Sequence, residues 1–220
     1  MKASCAVFPT FGHPTNGSLA GFEVLVRCQH PIEGLIPPIR FIEMAEQGGW
    51  IDELTQQVLK RVFAAAPNML KHLTLAINVS PFQLLNLGLP NQSQGLALDA
   101  GFELSRLIVE ITESAIIDNL QCAAAIVTEL KIMGCKLALA DFGTGYPSLH
   151  HLQCLPFDEL KVDRSFVGSM TDKRESRKIV FAVVELGQSL GLIRVAEGIE
   201  TLEQAERMLW LGCELGQGYF

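Results

Sequence analysis

No stretch of the sequence approaches the roughly 18 consecutive apolar residues needed to cross a bilayer. Nor is Met1-Lys2-Ala3-Ser4 followed by a secretory h-region, because Pro9 and Pro14 interrupt it. A cytoplasmic protein with no membrane segment is expected. Charge is sparse: 19% of residues are charged, and 17 Lys and Arg face 24 Asp and Glu, for a formal net charge of −7. The basic patches that displace counterions from a nucleic-acid backbone are lacking, so DNA and RNA are excluded as partners, and a phosphate ligand would need metal ions to help hold it. The six cysteines form no CxxC pair and follow no regular spacing, which argues against zinc or a disulfide framework and for buried reduced thiols. No linker, low-complexity run or charge block divides the chain. A single domain over residues 1–220 is expected, and 49% hydrophobic residues let it bury a substantial core.

Apolar runs of strand length recur at Gly21–Arg27, Leu73–Ser80, Arg106–Thr112, Lys136–Phe142, Glu159–Phe166 and Ile193–Gly198. Between them, apolar residues at helical spacing mark Ile39–Gln47, Ile51–Ala65, Ser114–Met133, Lys178–Leu190 and Leu202–Leu211. Gly134, Gly191 and Gly212 stand just past such runs, where a left-handed C-cap places glycine. Segments such as LTLAIN, RLIVEI and KLALA are nearly continuous hydrophobics, the pattern of parallel strands covered on both faces. Repeated βα units predict an α/β barrel or a doubly wound sheet, and 220 residues are slightly few for a barrel of typical size. Gly88–Gly101 reads as a loop or a short irregular helix.

The chemistry lies in what closes the strands. Glu23, Asn78, Glu110, Asp141, Lys161 and Glu197 fall within or at the end of successive apolar runs. In a parallel barrel the strand ends converge on one face, so these residues meet there. Converging carboxylates repel unless a cation neutralises them, and hard oxygen donors suit Mg²⁺ or Mn²⁺ better than zinc. Two such ions about 4 Å apart clamp a phosphate and assist an in-line displacement, which is phosphodiester hydrolysis. Lys161 either orients or deprotonates the attacking water, or serves as an ion pair that holds the acids together.

Seven segments in order then carry a resemblance: GFEVLVR (Gly21–Arg27), INVSP (Ile77–Pro81), VEITES (Val109–Ser114), ADFGTGYPSL (Ala140–Leu149), LKVDRSFV (Leu160–Val167), VAEGIET (Val195–Thr201) and GCELGQGYF (Gly212–Phe220). Through them the chain resembles the EAL family, bacterial phosphodiesterases that hydrolyse cyclic di-GMP to the linear dinucleotide. The resemblance implies a modified TIM-type (β/α)8 barrel, here lacking its final helix and truncated at both ends relative to the family. It implies that Glu23, Asn78 and Glu110 ligate one Mg²⁺ or Mn²⁺, and that Asp141 and Glu197 serve the second. Lys161 matches the lysine near the nucleophilic water, and Gln217 the glutamine that supports the site from the last strand. Arg27 meets a substrate phosphate, and Glu113 steadies the loop after the DFG strand. By the same resemblance the partners are cyclic di-GMP, a second copy in a homodimer, and GGDEF or sensor domains in a longer protein.

Ala140 departs from that pattern. The family carries a metal-bridging aspartate where alanine stands, so the second metal should be weakened and hydrolysis weak or absent. Val24 within Glu23-Val24-Leu25, Phe8-Pro9 and Pro147 are smaller departures. Three readings stay open: a silent receptor for cyclic di-GMP, a fully active phosphodiesterase, and a protein-interaction module that no longer binds nucleotide.

Overall fold

The computed structural model describes residues 2–12, 17–66, 69–117, 120–143 and 149–218, with the backbone alone for 2–11, 117 and 149–151. Gly145 and Pro147 lie outside these residues, as do the side chains of Phe8 and Pro9. The chain begins with a long hairpin, β1 (Lys2–Gly12) and β2 (Leu19–His30), to which β3 (Gly34–Ile36) adds a short third strand. Helices α1 (Pro38–Gln47) and α2 (Ile51–Ala65) follow. Strands β4 (Thr74–Asn78), β5 (Leu107–Thr112), β6 (Lys136–Phe142), β7 (Glu159–Val162), β8 (Ile193–Ile199) and β9 (Leu215–Gly218) come next. They are separated by α3 (Leu89–Ala100), α4 (Glu113–Ile117), α5 (Leu120–Ile132), α6 (Leu149–Cys154), α7 (Arg164–Ser169), α8 (Arg174–Ser189) and α9 (Leu202–Leu211).

Hydrogen bonding runs from β2 through β4, β5, β6, β7, β8 and β9, all parallel. Antiparallel β1 pairs with β2 along its length and meets β9 at Gly12 and Gly216, so the sheet closes into a ring. The result is the modified TIM-type barrel, with one inverted strand. Alternation along each strand makes two cores. The outer one packs Leu75, Val109, Leu137 and Leu160 against helix residues such as Leu59, Ile126 and Val180. The inner one consists of Ala76, Ile108, Ala138, Val195 and Leu215, whose modest side chains fill the narrow interior. No helix among the described residues is long and apolar enough to cross a membrane.

Four expectations are corrected. Of the two readings for residues 88–101 the helix holds, but it is regular: α3 spans Leu89–Ala100 because Leu89, Ser93 and Ala97 bury one face at four-residue spacing between Pro90 in its first turn and a left-handed Gly101 cap. The predicted strand Glu159–Phe166 stops at Val162, because Asp163 caps α7. The predicted helix Ser114–Met133 is two helices, α4 and α5. Strand β1 is an addition to the expected set. Of the cysteines, Cys28, Cys135 and Cys213 are buried as expected, whereas Cys154 is exposed. Gly134, Gly191 and Gly212 do take positive φ.

Candidate functional site

Four of the five inner-core residues stand two positions before a polar side chain on their own strands, so alternation places that side chain one layer higher on the same inward face. Ala76 leads to Asn78, Ile108 to Glu110, Val195 to Glu197 and Leu215 to Gln217. Gly21 and Glu159 stand in the same relation to Glu23 and Lys161. Residues spread over most of the sequence thus meet at the strand ends. Asn78 Nδ2 donates to Glu23 Oε1 at 2.8 Å, and Gln217 Nε2 donates to Glu23 Oε2 at 2.7 Å. The Glu23 carboxylate is held by both neighbours, which fixes its orientation without supplying a positive charge.

Lys161 lies opposite, 1% exposed, and its Nζ contacts Glu110 Oε1 and Glu197 Oε1, each at 2.6 Å. Burial alone would lower the ammonium's pKa, but the carboxylates of Glu110, Glu197 and Glu23 outweigh it and hold it above its ordinary value. In this pairing Lys161 is a hydrogen-bond donor and not a base, and the geometry contains the ion pair that holds the acids together. Glu110 is pushed up to about 7, chiefly by burial, with Lys161 pulling the other way. Burial raises Glu197 as well. One ammonium does not satisfy this concentration of acid.

A third group lies beside the pair. Ligand oxygens of Asp141, Asp163 and Glu197 all fall within 4.8 Å of one another. Asp141 has φ +55°, the left-handed region, and the β6–β7 register slips between Leu139 and Phe142. Regular alternation would point residue 141 away from the interior; this kink turns its carboxylate back toward Asp163 and Glu197. Burial and the neighbouring Asp163 raise its pKa. Asp163 also accepts from the Ser165 amide at 2.9 Å and from the Ser165 hydroxyl.

Asp163 is absent from the sequence-based site, where the residues after Lys161 read as more strand. Its two-residue spacing from Lys161, which assigns it to the inward face, is the available signal. The donor set of Glu23, Asn78, Glu110, Asp141, Asp163 and Glu197 is all oxygen, and its carboxylates outnumber the ammonium. It fits hard divalent cations.

Residues 9–220 match the EAL domain. The chain belongs to the EAL-domain family. It is 37% identical over 206 residues to the cyclic di-GMP phosphodiesterase RocR of Pseudomonas aeruginosa, covering 92% of this chain and 53% of RocR. It is 40% identical over 208 residues to the cyclic di-GMP phosphodiesterase PdeL of Escherichia coli, covering 92% of this chain and 57% of PdeL. An uncharacterised signalling protein of Caulobacter vibrioides is 44% identical over 204 residues, 93% of this chain but 25% of that protein. The chain therefore spans a quarter to about half of these relatives. Among solved structures, the PaMucR phosphodiesterase in its c-di-GMP complex superposes with a TM-score of 0.91 at 35% identity, over 97% of this chain and 89% of that one. BlrP1 of Klebsiella pneumoniae, solved with manganese and cyclic di-GMP, gives 0.86 at 28% identity, over 99% and 54%.

Within this EAL domain Ala140 occupies an inward position. It follows inner-core Ala138 by two residues and is paired with Thr112 on β5, between the strands that carry Glu110 and Lys161. It is buried, and it is apolar where the described side chains of the layer on β2, β4, β5, β7, β8 and β9 are polar. Arg27 lies four residues beyond Glu23 on the same face of β2, half-buried, with Nη1 donating to the Val26 carbonyl at 3.0 Å. Glu113 is buried where β5 turns into α4.

Proposed function

We propose that this domain binds cyclic di-GMP through Mg²⁺ or Mn²⁺ held by Glu23, Asn78, Glu110, Asp141 and Glu197, and that Ala140 leaves its hydrolysis weak or absent. The observation that carries this reading is the inward register of Ala140 in a layer whose other described side chains are acids, amides and a lysine. A methyl group there offers no ligand atom between Glu110 and the group of Asp141, Asp163 and Glu197. RocR, PdeL and PaMucR are named as cyclic di-GMP phosphodiesterases or solved with that ligand, and BlrP1 holds it with manganese, which supports the ligand and the metal class.

When bound, two divalent cations would neutralise the phosphate and lower the barrier to attack by water. The chain's own residues set the geometry. Asn78 and Gln217 fix the Glu23 carboxylate. Lys161 keeps Glu110 and Glu197 together and offers its ammonium to the attacking water as a donor. Arg27, further up the same face of β2, reaches a substrate phosphate, and Glu113 supports the loop after β6. Loss of even a supporting partner of a metal ligand costs ~10–100-fold in affinity or activity, and loss of a bridging ligand costs more. A homodimer, a cytoplasmic location, and GGDEF or sensor domains in a longer protein belong to the same proposal.

A second reading rests on Asp163. Three carboxylates already converge without residue 140, so residual hydrolysis at a second ion held by Asp141, Asp163 and Glu197 is the alternative. Incubation with cyclic di-GMP and Mn²⁺, with the linear product followed by chromatography, separates the two. Under the first reading Ala140→Asp forms product at least ~100-fold faster than the parent, while calorimetry finds that both bind. Equal rates would favour the second reading. No nucleotide binding by either protein would overturn both.

A further inference from the structure

The segment that follows Asn78 is tied to the outer helices by a chain of side-chain bonds that neither metal nor substrate chemistry uses. Gln83, in the 3₁₀ turn Pro81–Leu85, is 1% exposed. Its Oε1 accepts from the Ser80 amide at 3.2 Å and from Thr55 Oγ1 on α2 at 3.3 Å. Its Nε2 donates to Asp52 Oδ1, in the first turn of α2, at 3.3 Å. The other Asp52 oxygen accepts from Asn86 Nδ2 at 2.7 Å. Ser80 Oγ donates to Glu46 Oε1 on α1 at 2.5 Å and caps the turn by accepting from the Phe82 amide at 3.3 Å. The Val79 amide, next to Asn78, donates to the backbone carbonyl of Glu110 at 2.9 Å.

A buried amide whose oxygen and nitrogen are both engaged, by partners on two elements, specifies a single arrangement of the loop it crosses. Here the loop leaves the barrel directly from Asn78, which orients Glu23, and its first amide grips the strand of Glu110. We propose that Gln83 and Asp52 are positioning residues: their bond locks the turn after β4 to α2 and thereby sets the separation of Asn78, Glu23 and Glu110 at the metal site. This rests on the metal-binding reading above. It also gives α1 and α2, on the outside of the barrel, a bonded path through Glu46 and Asp52 to the ligand layer.

The bond can be reversed without changing net charge. In Gln83→Glu two carboxylates face each other, and in Asp52→Asn the facing groups are two amides. In the double variant the amide introduced at position 52 donates to the carboxylate introduced at position 83. That carboxylate still accepts from Ser80 and Thr55, and the amide oxygen at position 52 still accepts from Asn86. Mn²⁺ binding is titrated by its electron paramagnetic resonance signal on the full chain at a temperature where circular dichroism finds every variant folded. Gln83→Glu is expected to weaken Mn²⁺ binding by ~10–100-fold and change the bound-ion spectrum. The double variant should restore the parental spectrum and most of the affinity. Parental affinity and spectrum in Gln83→Glu would overturn the proposal, as would a double variant that regains thermal stability without regaining the spectrum. A parent that binds no Mn²⁺ at all, matching Glu23→Ala, would instead refute the metal-site reading.

Discussion

Glu110 makes the domain's stability depend on pH in a direction opposite to ordinary acid denaturation. The carboxyl is 2% exposed, and in the folded protein burial raises its pKa from 4.5 to about 7 against the pull of Lys161. Between those values the folded state holds a proton that the unfolded chain has released, so stability is fully present below about pH 4.5 and is lost as pH rises to about 7. At about 1.4 kcal/mol per pH unit, the gap amounts to about 3 kcal/mol for this group. Burial raises Asp141, Glu159 and Glu197 as well, and each acts with the same sign. For a domain of this size about 3 kcal/mol moves Tm by roughly 6–12 °C.

The assay is urea unfolding of EDTA-treated protein at pH 5 and 7.5, beside Glu110→Gln, which retains an acceptor for Lys161 but does not titrate. The parent should lose about 2 kcal/mol more than the variant across that window, since part of the effect is already gone at pH 5. A divalent ion binds the ionised carboxylates, so Mn²⁺ at one hundred times its Kd should return about 2.7 kcal/mol at pH 7.5. Identical pH dependence in parent and variant would refute the argument, as would a metal-free parent that gains stability relative to the variant on going to pH 7.5.

Two further perturbations test the same layer. Lys161→Met removes the cation shared by Glu110 and Glu197 and leaves buried carboxylates unpaired, which should cost about 3–5 kcal/mol at pH 7.5 and less at pH 5; a change below about 1 kcal/mol in urea unfolding at pH 7.5 would show that the clamp carries little energy. Gly198→Ala adds a Cβ at 2.6 Å from the Arg164 Cβ at a residue with φ +69°, and should cost about 1–3 kcal/mol while pushing α7, and with it Asp163, off Glu197. An unchanged Tm together with unchanged Mn²⁺ affinity would contradict that close approach.

Where a physical rule has one solution, the sequence is easy to read. Strand β6 and helices α2 and α9 have the predicted bounds because each presents a single clean periodicity between turn residues. Residues 88–101 mislead because Pro90, Asn91, Gln92 and Gly95 look like loop composition, whereas helix formation is decided by the face Leu89, Ser93 and Ala97 bury. β1 escapes because Pro9 and the flanking glycine punctuate a segment whose strand character comes from pairing with β2, a long-range contact that local pattern does not encode. The ligand layer is legible as polar residues ending apolar runs. Asp163 is not, because the apolar pattern of the strand continues through Val162 and Phe166 while a helix cap intervenes. The turn Pro81–Leu85 and its bonds to α2 are invisible for a similar reason: Gln83 matters through partners 28 and 31 residues away.

The electrostatics of the layer explain why an alanine at position 140 is compatible with an otherwise intact site. Glu23, Glu110, Asp141, Asp163 and Glu197 gather about one buried ammonium, which pairs with Glu110 and Glu197; burial raises Glu110, Asp141 and Glu197, and like charge from neighbouring carboxylates adds to the shift. Another carboxylate on the inward face of β6, between the strands of Glu110 and Lys161, would add like charge where charge is already least tolerated. On the proposed metal-binding reading, alanine relieves the metal-free fold while removing a ligand from the metal-bound one, and the two effects have opposite signs. The bonds of Asn78 and Gln217 to Glu23 do not involve position 140. On the proposed reading such a layer keeps its grip on a metal and a phosphate at Glu23, Asn78 and Glu110 without a ligand at position 140, because the two halves are held by different strands and, among the described ion pairs, are joined through Lys161.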